Sequence, residues 1–182
     1  MLYKTPTIYK TPTIYKTGAG GVIPPGYEDL GGVVGLQPVT QIGSMMWTTI
    51  DYNDTYYSFN QYVAIGADLQ NGWRVPTSAD VQATINAIGG ASQAYKLMST
   101  DWGGTDVYGF NANPTGYYRR PGDSLQSANY FFIGTSTKTS NNTRFNSFRI
   151  RSTTDTSVAE LSSVFSPVYD NLLIKVRFCR NV

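Results

Sequence analysis

The sequence predicts an α+β fold, with two helices early and a loop-rich antiparallel half after them. Three observations carry this expectation. A helix-start signature follows Pro76, strand-like runs dominate the chain beyond Gly90, and the composition is that of a β-rich protein. Of 182 residues, 14% are charged and 41% hydrophobic, with 14 Tyr and 18 Gly among them. Charged residues thus fall well below the usual quarter of a globular chain. Plentiful aromatic groups at a formal net charge of +2 argue against intrinsic disorder. The length suits one full domain and an appendage.

The appendage is a repeat. Residues 3–8 and 9–14 both read YKTPTI, and 15–17 begin a third copy. Six is even, so an extended chain keeps each residue type on one face. Tyr3, Tyr9 and Tyr15 then share one side with the threonines, and Lys4, Ile8, Lys10, Ile14 and Lys16 share the other with the prolines. Pro6 and Pro12 forbid a helix and a central sheet position, so residues 1–17 read as an extended arm, on the order of 50 Å when fully stretched. Such an arm cannot bury its own side chains and is expected to dock on another protein through these tyrosines, lysines and isoleucines. It carries three lysines and no acid, whereas the remainder holds eleven basic and twelve acidic residues. Arm and body are therefore expected to meet different surroundings.

Gly18 to Pro38 is a Gly/Pro-rich connector of turns and short strands. Its Val22, Ile23, Val33, Val34 and Leu36 would lie exposed on a lone chain, which predicts bundling in a homotrimer. The body, 39–182, opens with a helix over about Phe59 to Leu69, N-capped by Ser58, with Phe59, Tyr62, Val63 and Ala67 as its apolar stripe. The second helix is announced by a capping box from Thr77 to Asp80, continues through Val81, Thr84, Ile85 and Ile88, and stops at Gly89-Gly90. Strands are expected over Tyr130–Thr135, Arg144–Arg151 and Leu172–Arg180. In the last, Leu172, Ile174, Val176 and Phe178 alternate with Leu173, Lys175, Arg177 and Cys179, the pattern of a half-buried strand.

Several function classes become improbable on composition. The chain has no His, the commonest general base and metal ligand. The single Cys179 excludes an intrachain disulfide and a multi-cysteine zinc site. No cofactor or metal is expected. MLYKTPTIYK shows no basic-then-apolar export signal and no apolar run reaches about 18 residues, so synthesis in the cytoplasm without membrane insertion is expected. A near-neutral body argues against nucleic-acid binding.

Particular motifs then carry a resemblance. Asn71-Gly72-Trp73-Arg74-Val75-Pro76-Thr77 resembles the GWRLPT signature of the major paralogous domain first noted in Fibrobacter succinogenes, a C-type-lectin-like family called FISUMP. Met46-Trp47-Thr48 is similar to its opening strand and Lys96-Leu97-Met98 to the KL after its helix. Gly104-Thr105-Asp106 through Tyr108-Gly109-Phe110-Asn111-Ala112 resembles GTD-x-YGF-x-A, and Pro114-Thr115-Gly116-Tyr117 resembles P-x-G-Y. Phe132 to Thr137 and Val176-Arg177-Phe178-Cys179-Arg180 are similar to its later strands. The resemblance covers about 39–182 and implies a C-type-lectin-like fold with Trp47 and Trp73 in the core. Members usually pair the terminal Cys with one before GWR; here that stretch is Ala67-Asp68-Leu69-Gln70, which leaves Cys179 as a free, buried thiol. The calcium and sugar tripeptides of true C-type lectins and the catalytic cysteines of the formylglycine-generating enzymes, which share the fold, are not found.

A display domain behind a repetitive arm resembles the plan of a phage head or tail fibre, made in the host cytoplasm and carried on the virion; the crAss-like phages are one such group. The implied partners are a capsid or tail protein, further copies of the chain, and a host-surface glycan or protein. A bacterial cell-surface adhesin module is the alternative. The candidate ligand surface is Trp102, Tyr117, Tyr118, Arg119, Arg120 and Tyr130, since aromatic and Arg groups bury large rigid surfaces at low entropic cost. Arg74 reads as a structural salt bridge beside the helix start. Arg149, Arg151, Arg177 and Arg180 read as a solvated strand face. Asp101 and Asp106 are the one carboxylate pair considered for catalysis, which is not expected.

Overall fold

A computed structural model describes residues 23–119, 122–138, 145–153, 156–165 and 172–182, and of 163–165 the backbone alone. The repeat arm with the residues expected to dock it, Val22 and Arg120 lie outside the described residues. The described chain is α+β, and its strand ladders are antiparallel.

Helix α1 spans Phe59–Ala67, and the Ser58 N–H at its start donates to Gln61 Oε1 at 2.8 Å. The buried face differs from the expected stripe. Tyr62 is buried and Phe59 and Ile65 are half-buried, while Val63 and Ala67 face solvent. The Tyr62 hydroxyl donates to the Thr135 carbonyl at 2.9 Å, and a Cβ on Gly66 would come within 2.6 Å of Val75. The close approach of Val75 at Gly66 thus rotates the inward face one residue away from Val63.

Helix α2 spans Ser78–Ala87 and begins as its sequence requires. Thr77 Oγ1 accepts from the Asp80 N–H at 3.2 Å and the Thr77 N–H donates to Asp80 Oδ2 at 2.8 Å, so orphan donors at the helix start are satisfied reciprocally. Val81, Thr84, Ile85 and Ile88 are all buried. Gly89 and Gly90 follow at φ of 100° and 103°, a conformation that ends the helix without a Cβ penalty. Beyond them, where only strands and loops are expected, short 3₁₀ segments form at Ala91–Lys96 and Thr100–Trp102.

One sheet runs in the order β1-β2-β3-β9, from Tyr27–Asp29, Leu36–Ile42, Met45–Thr48 and Cys179–Asn181. Trp47 pairs with Cys179, so the C-terminal strand closes beside the beginning of the body. The connector is part of this construction. Glu28 accepts from Arg180 Nε and Nη2 at 2.9 and 2.7 Å, and Leu30 and Val34 are buried in the chain's own core. The core therefore does not lie wholly beyond Pro38, and Val34 needs no second copy to cover it; Val33 and Ile23 stay exposed.

A second sheet is β5-β6-β7, from Tyr130–Lys138, Phe145–Ser152 and Ser157–Phe165. Strand β7 has no counterpart in the sequence expectation. Its SVAELSSVF mixes three Ser, one Ala and one Glu with two Val and a Phe and shows no clean alternation, and it is held by its ladder to β6.

The expected single strand over Leu172–Arg180 is two short ones, β8 at Leu173–Ile174, paired with β4 at Tyr117–Tyr118, and β9. Between them the chain is buried on both sides: Lys175, Val176, Arg177 and Phe178 are at most 4% exposed. Lys175 bridges to Ile133 of β5 while Cys179 bonds to Arg74, so this segment threads the molecule's centre and has no solvent face. Apolar side chains form two clusters on either side of it. One gathers around Trp47, Phe110, Phe131 and Phe148, the other around Tyr62, Trp73, Phe132 and Phe178.

Candidate functional site

The candidate ligand residues divide between the two clusters. Tyr117, on β4, is core: it is 8% exposed and meets Phe132 edge-on at 5.4 Å. Tyr118 beside it is half-buried and meets the Tyr56 ring at 4.8 Å, with Arg119 exposed next in the chain. Tyr130 opens β5, its ring 5.9 Å from the Arg149 guanidinium. Trp102 packs instead against the opposite cluster, on the Thr100–Trp102 segment. The five described residues, Trp102, Tyr117, Tyr118, Arg119 and Tyr130, are therefore not one surface.

Tyr56 is an unforeseen member of the Tyr118 patch. Its hydroxyl donates to the Thr115 carbonyl, and burial pushes its pKa up to about 12. The Lys175 ammonium sits 4.5 Å from the Tyr56 ring centroid and pairs with Asp54, whose side chain is exposed. The Tyr56 hydroxyl and the Lys175 ammonium of this patch thus have partners within the protein.

Each arginine expected on a solvated strand face pairs with a carboxylate, and of the four, Arg149 and Arg151 share one face of β6 and stay partly exposed. Arg177 overturns that expectation most clearly. It is 2% exposed, donates to Asp51 Oδ1 at 2.8 Å and to the carbonyls of Phe110 and Asn111, and lies 4.7 Å from the Phe110 ring. Arg149 and Arg151, both on β6, converge on Glu160 of β7 at 2.6 and 2.7 Å, and Arg180 holds Glu28. Arg74 bonds Asp80 at 2.7 Å beside the start of α2, as expected. Asp106, at φ +41°, accepts the Asn111 N–H at 2.8 Å and so closes a turn, with burial raising its pKa. Asp101 is exposed on its 3₁₀ segment. Cys179 is a buried free thiol 3.6 Å from Asp80 Oδ2, and burial pushes its pKa well up.

A groove of about 450 Å³ opens elsewhere, where the Ala91–Lys96 segment crosses the β6–β7 hairpin. Met98 and Val158 give it apolar wall, Tyr95 contributes its ring, and Ser92, Ser152, Thr153, Thr156 and Ser157 supply hydroxyls; Gly103, next to Trp102, completes it. Sequence reasoning reached only its neighbour Trp102. Scattered Ser and Thr read as turn chemistry, and it is the packing of β7 against the 3₁₀ segment that brings Ser92 and Tyr95 near Ser152, Thr153, Thr156, Ser157 and Val158.

No family model, curated protein or solved structure matches the chain. The class that the fold and site define is an α+β protein in which Arg74, Arg149, Arg151, Arg177 and Arg180 are paired with carboxylates of the fold and in which a groove is lined largely by hydroxyls.

Proposed function

We propose that this chain is a bacteriophage virion fibre protein, of head or tail, whose N-terminal arm anchors to a capsid or tail protein and whose body is a C-type-lectin-like domain displayed for contact with a host surface. The observation that carries the reading is the perfect YKTPTI repeat ahead of a body with a separate core. An extended segment with repeated side chains suits β-augmentation, in which main-chain hydrogen bonds supply affinity and alternating side chains set register. Tyr3, Tyr9 and Tyr15 would then fill successive pockets, and Lys4, Lys10 and Lys16 would face an acidic capsid or tail surface, with Ile8 and Ile14 beside them.

The lectin-like part of the reading is supported by where its motifs fall. Trp47 and Trp73 are buried in opposite clusters, Thr77 caps a helix, and the terminal VRFCR stretch runs through the centre of the fold. Burial of Val34 and the half-burial of Leu36 narrow the surface available for a homotrimer to residues such as Ile23 and Val33. The test is removal of residues 1–17. The body keeps its fold, since Leu30 is the first buried residue described, and virions assembled with the shortened protein lack it. Incorporation at normal copy number would sink the anchoring role.

A further inference from the structure

We propose that the outer face of the β5-β6-β7 sheet binds a singly charged oxyanion, a carboxylate or a phosphodiester, at Tyr130, Arg149 and Arg151. The chemistry of the site is argued from its own geometry. Only its biological setting, an anionic group on a host surface, rests on the display reading.

The register of the ladders gathers these residues. Tyr130 lies opposite Arg151 and Phe132 opposite Arg149, while Arg149 in turn faces Glu160 of β7, so these side chains stand on one side of the sheet. Elsewhere that side is covered: the Phe59 ring packs on Phe145 at 5.0 Å and Tyr117 packs on Phe132. At the end near Tyr130 the cover thins. Tyr130 is half-buried, and the Arg151 side chain is 41% exposed.

Two guanidinium groups here share one carboxylate. Arg149 Nε and Nη2 donate to Glu160 Oε1 at 2.9 and 2.6 Å, and Arg151 Nε approaches the same oxygen at 2.7 Å. Arg149 already occupies that oxygen, so the Arg151 contact pairs charges without an aligned hydrogen bond, and its buried Nε–H has no hydrogen-bond partner. Among the described residues neither the Arg151 guanidinium nor the Tyr130 hydroxyl beside it makes a hydrogen bond. A buried donor left without a partner in a folded chain points to one supplied from outside. Arg149, Arg151 and Glu160 together leave one positive charge, which a singly charged anion neutralises. The guanidinium fork matches the paired oxygens of a carboxylate or a phosphodiester, and the Tyr130 hydroxyl adds a donor at its side. The other arginines of the expected strip offer no such site, because Arg180 is engaged by Glu28 and Arg177 by Asp51 and two carbonyls.

The experiment follows the amide and arginine Nε signals of the ¹⁵N-labelled full chain during titration with dimethyl phosphate and, separately, with N-acetylglycinate. Each replaces sodium chloride at constant ionic strength, so screening stays fixed and chloride serves as the reference anion. The expected result is saturable shifts at Tyr130, Arg149 and Arg151 with at least one of the two, and the tighter binder identifies the anion. Arg151→Lys keeps the charge and loses the fork, and should weaken that binding about tenfold; Tyr130→Phe should weaken it less. Glu160→Gln removes the competing carboxylate and should tighten it about threefold, a gain that damage to the fold would not produce. The proposal is overturned by no saturable shift with either anion, by shifts centred on Tyr118 and Arg119, by undiminished binding in Arg151→Lys, or by a dispersed Glu160→Gln spectrum with no tighter binding. The display reading fails separately. Arg151→Lys should enter virions at normal copy number, and removal of the arm should leave the anion shifts unchanged.

Discussion

The ion pair between Arg177 and Asp51 allows the sharpest stability test. Both side chains are largely removed from water, with 3% and 14% of their surface exposed. Replacing Asp51 by Ala leaves the guanidinium in place with two carbonyl partners and the faces of Phe110 and Phe131, but without its counter-charge. Breaking a buried pair on one side typically costs about 3–5 kcal/mol, because the remaining charge stays buried and uncompensated. For a domain of this size each kcal/mol moves the melting temperature by about 2–4 °C, so Asp51→Ala should melt about 6–20 °C below the parent. Urea denaturation followed by tryptophan fluorescence gives the same quantity through the midpoint at unchanged slope. Asp54→Ala is the internal comparison. Asp54 also pairs with a buried cation, Lys175, but its own side chain is 96% exposed, so solvent screens the pair and the loss should be clearly smaller. If Asp51→Ala denatures with the parent, or if Asp54→Ala is the more damaging change, burial does not govern the strength of these pairs.

Acid should destabilise the protein through two carboxylates. The Arg180 hydrogen bond holds Glu28 below its ordinary pKa; at Asp80 burial pushes the other way but is outweighed by Thr77 and Arg74. Groups lowered in the folded state stabilise it above their unfolded values, near pH 4, and that contribution disappears as pH falls through the folded values beneath. Glu28→Gln with Asp80→Asn should flatten the fall of the urea midpoint over that range, and parallel curves for variant and parent would refute the assignment. Cys179 should resist a disulfide reagent at mildly alkaline pH while native and react as one thiol once unfolded, since burial both shields it and raises its pKa. Rapid stoichiometric labelling of the native protein would contradict that placement.

What the sequence determined by itself is local. The capping box of Thr77 and Asp80, the helical spacing from Val81 to Ile88 and the stop at Gly89-Gly90 are set by contacts within a few residues, and the structure follows them. Pro and Gly punctuation and the aromatic runs of β5 and β6 likewise act over short range, as does the salt bridge from Arg74 to Asp80. Tertiary structure decided what depends on remote partners. Strand β7 has a weak sequence signature and is held by its ladder to β6. Period-two alternation over Leu172–Arg180 describes a strand with one wet face, but contacts from β4, β5, Arg74 and Asp51 close both sides of that segment, so Lys175 and Arg177 are buried where alternation would expose them. The groove arises in the same way. Its hydroxyls come from two stretches some sixty residues apart, and no local pattern encodes their meeting. Backbone hydrogen bonding and apolar spacing are short-range quantities that one chain of letters displays. The burial of a charge, or the convergence of uncharged hydroxyls, is a property of which distant segments share a wall.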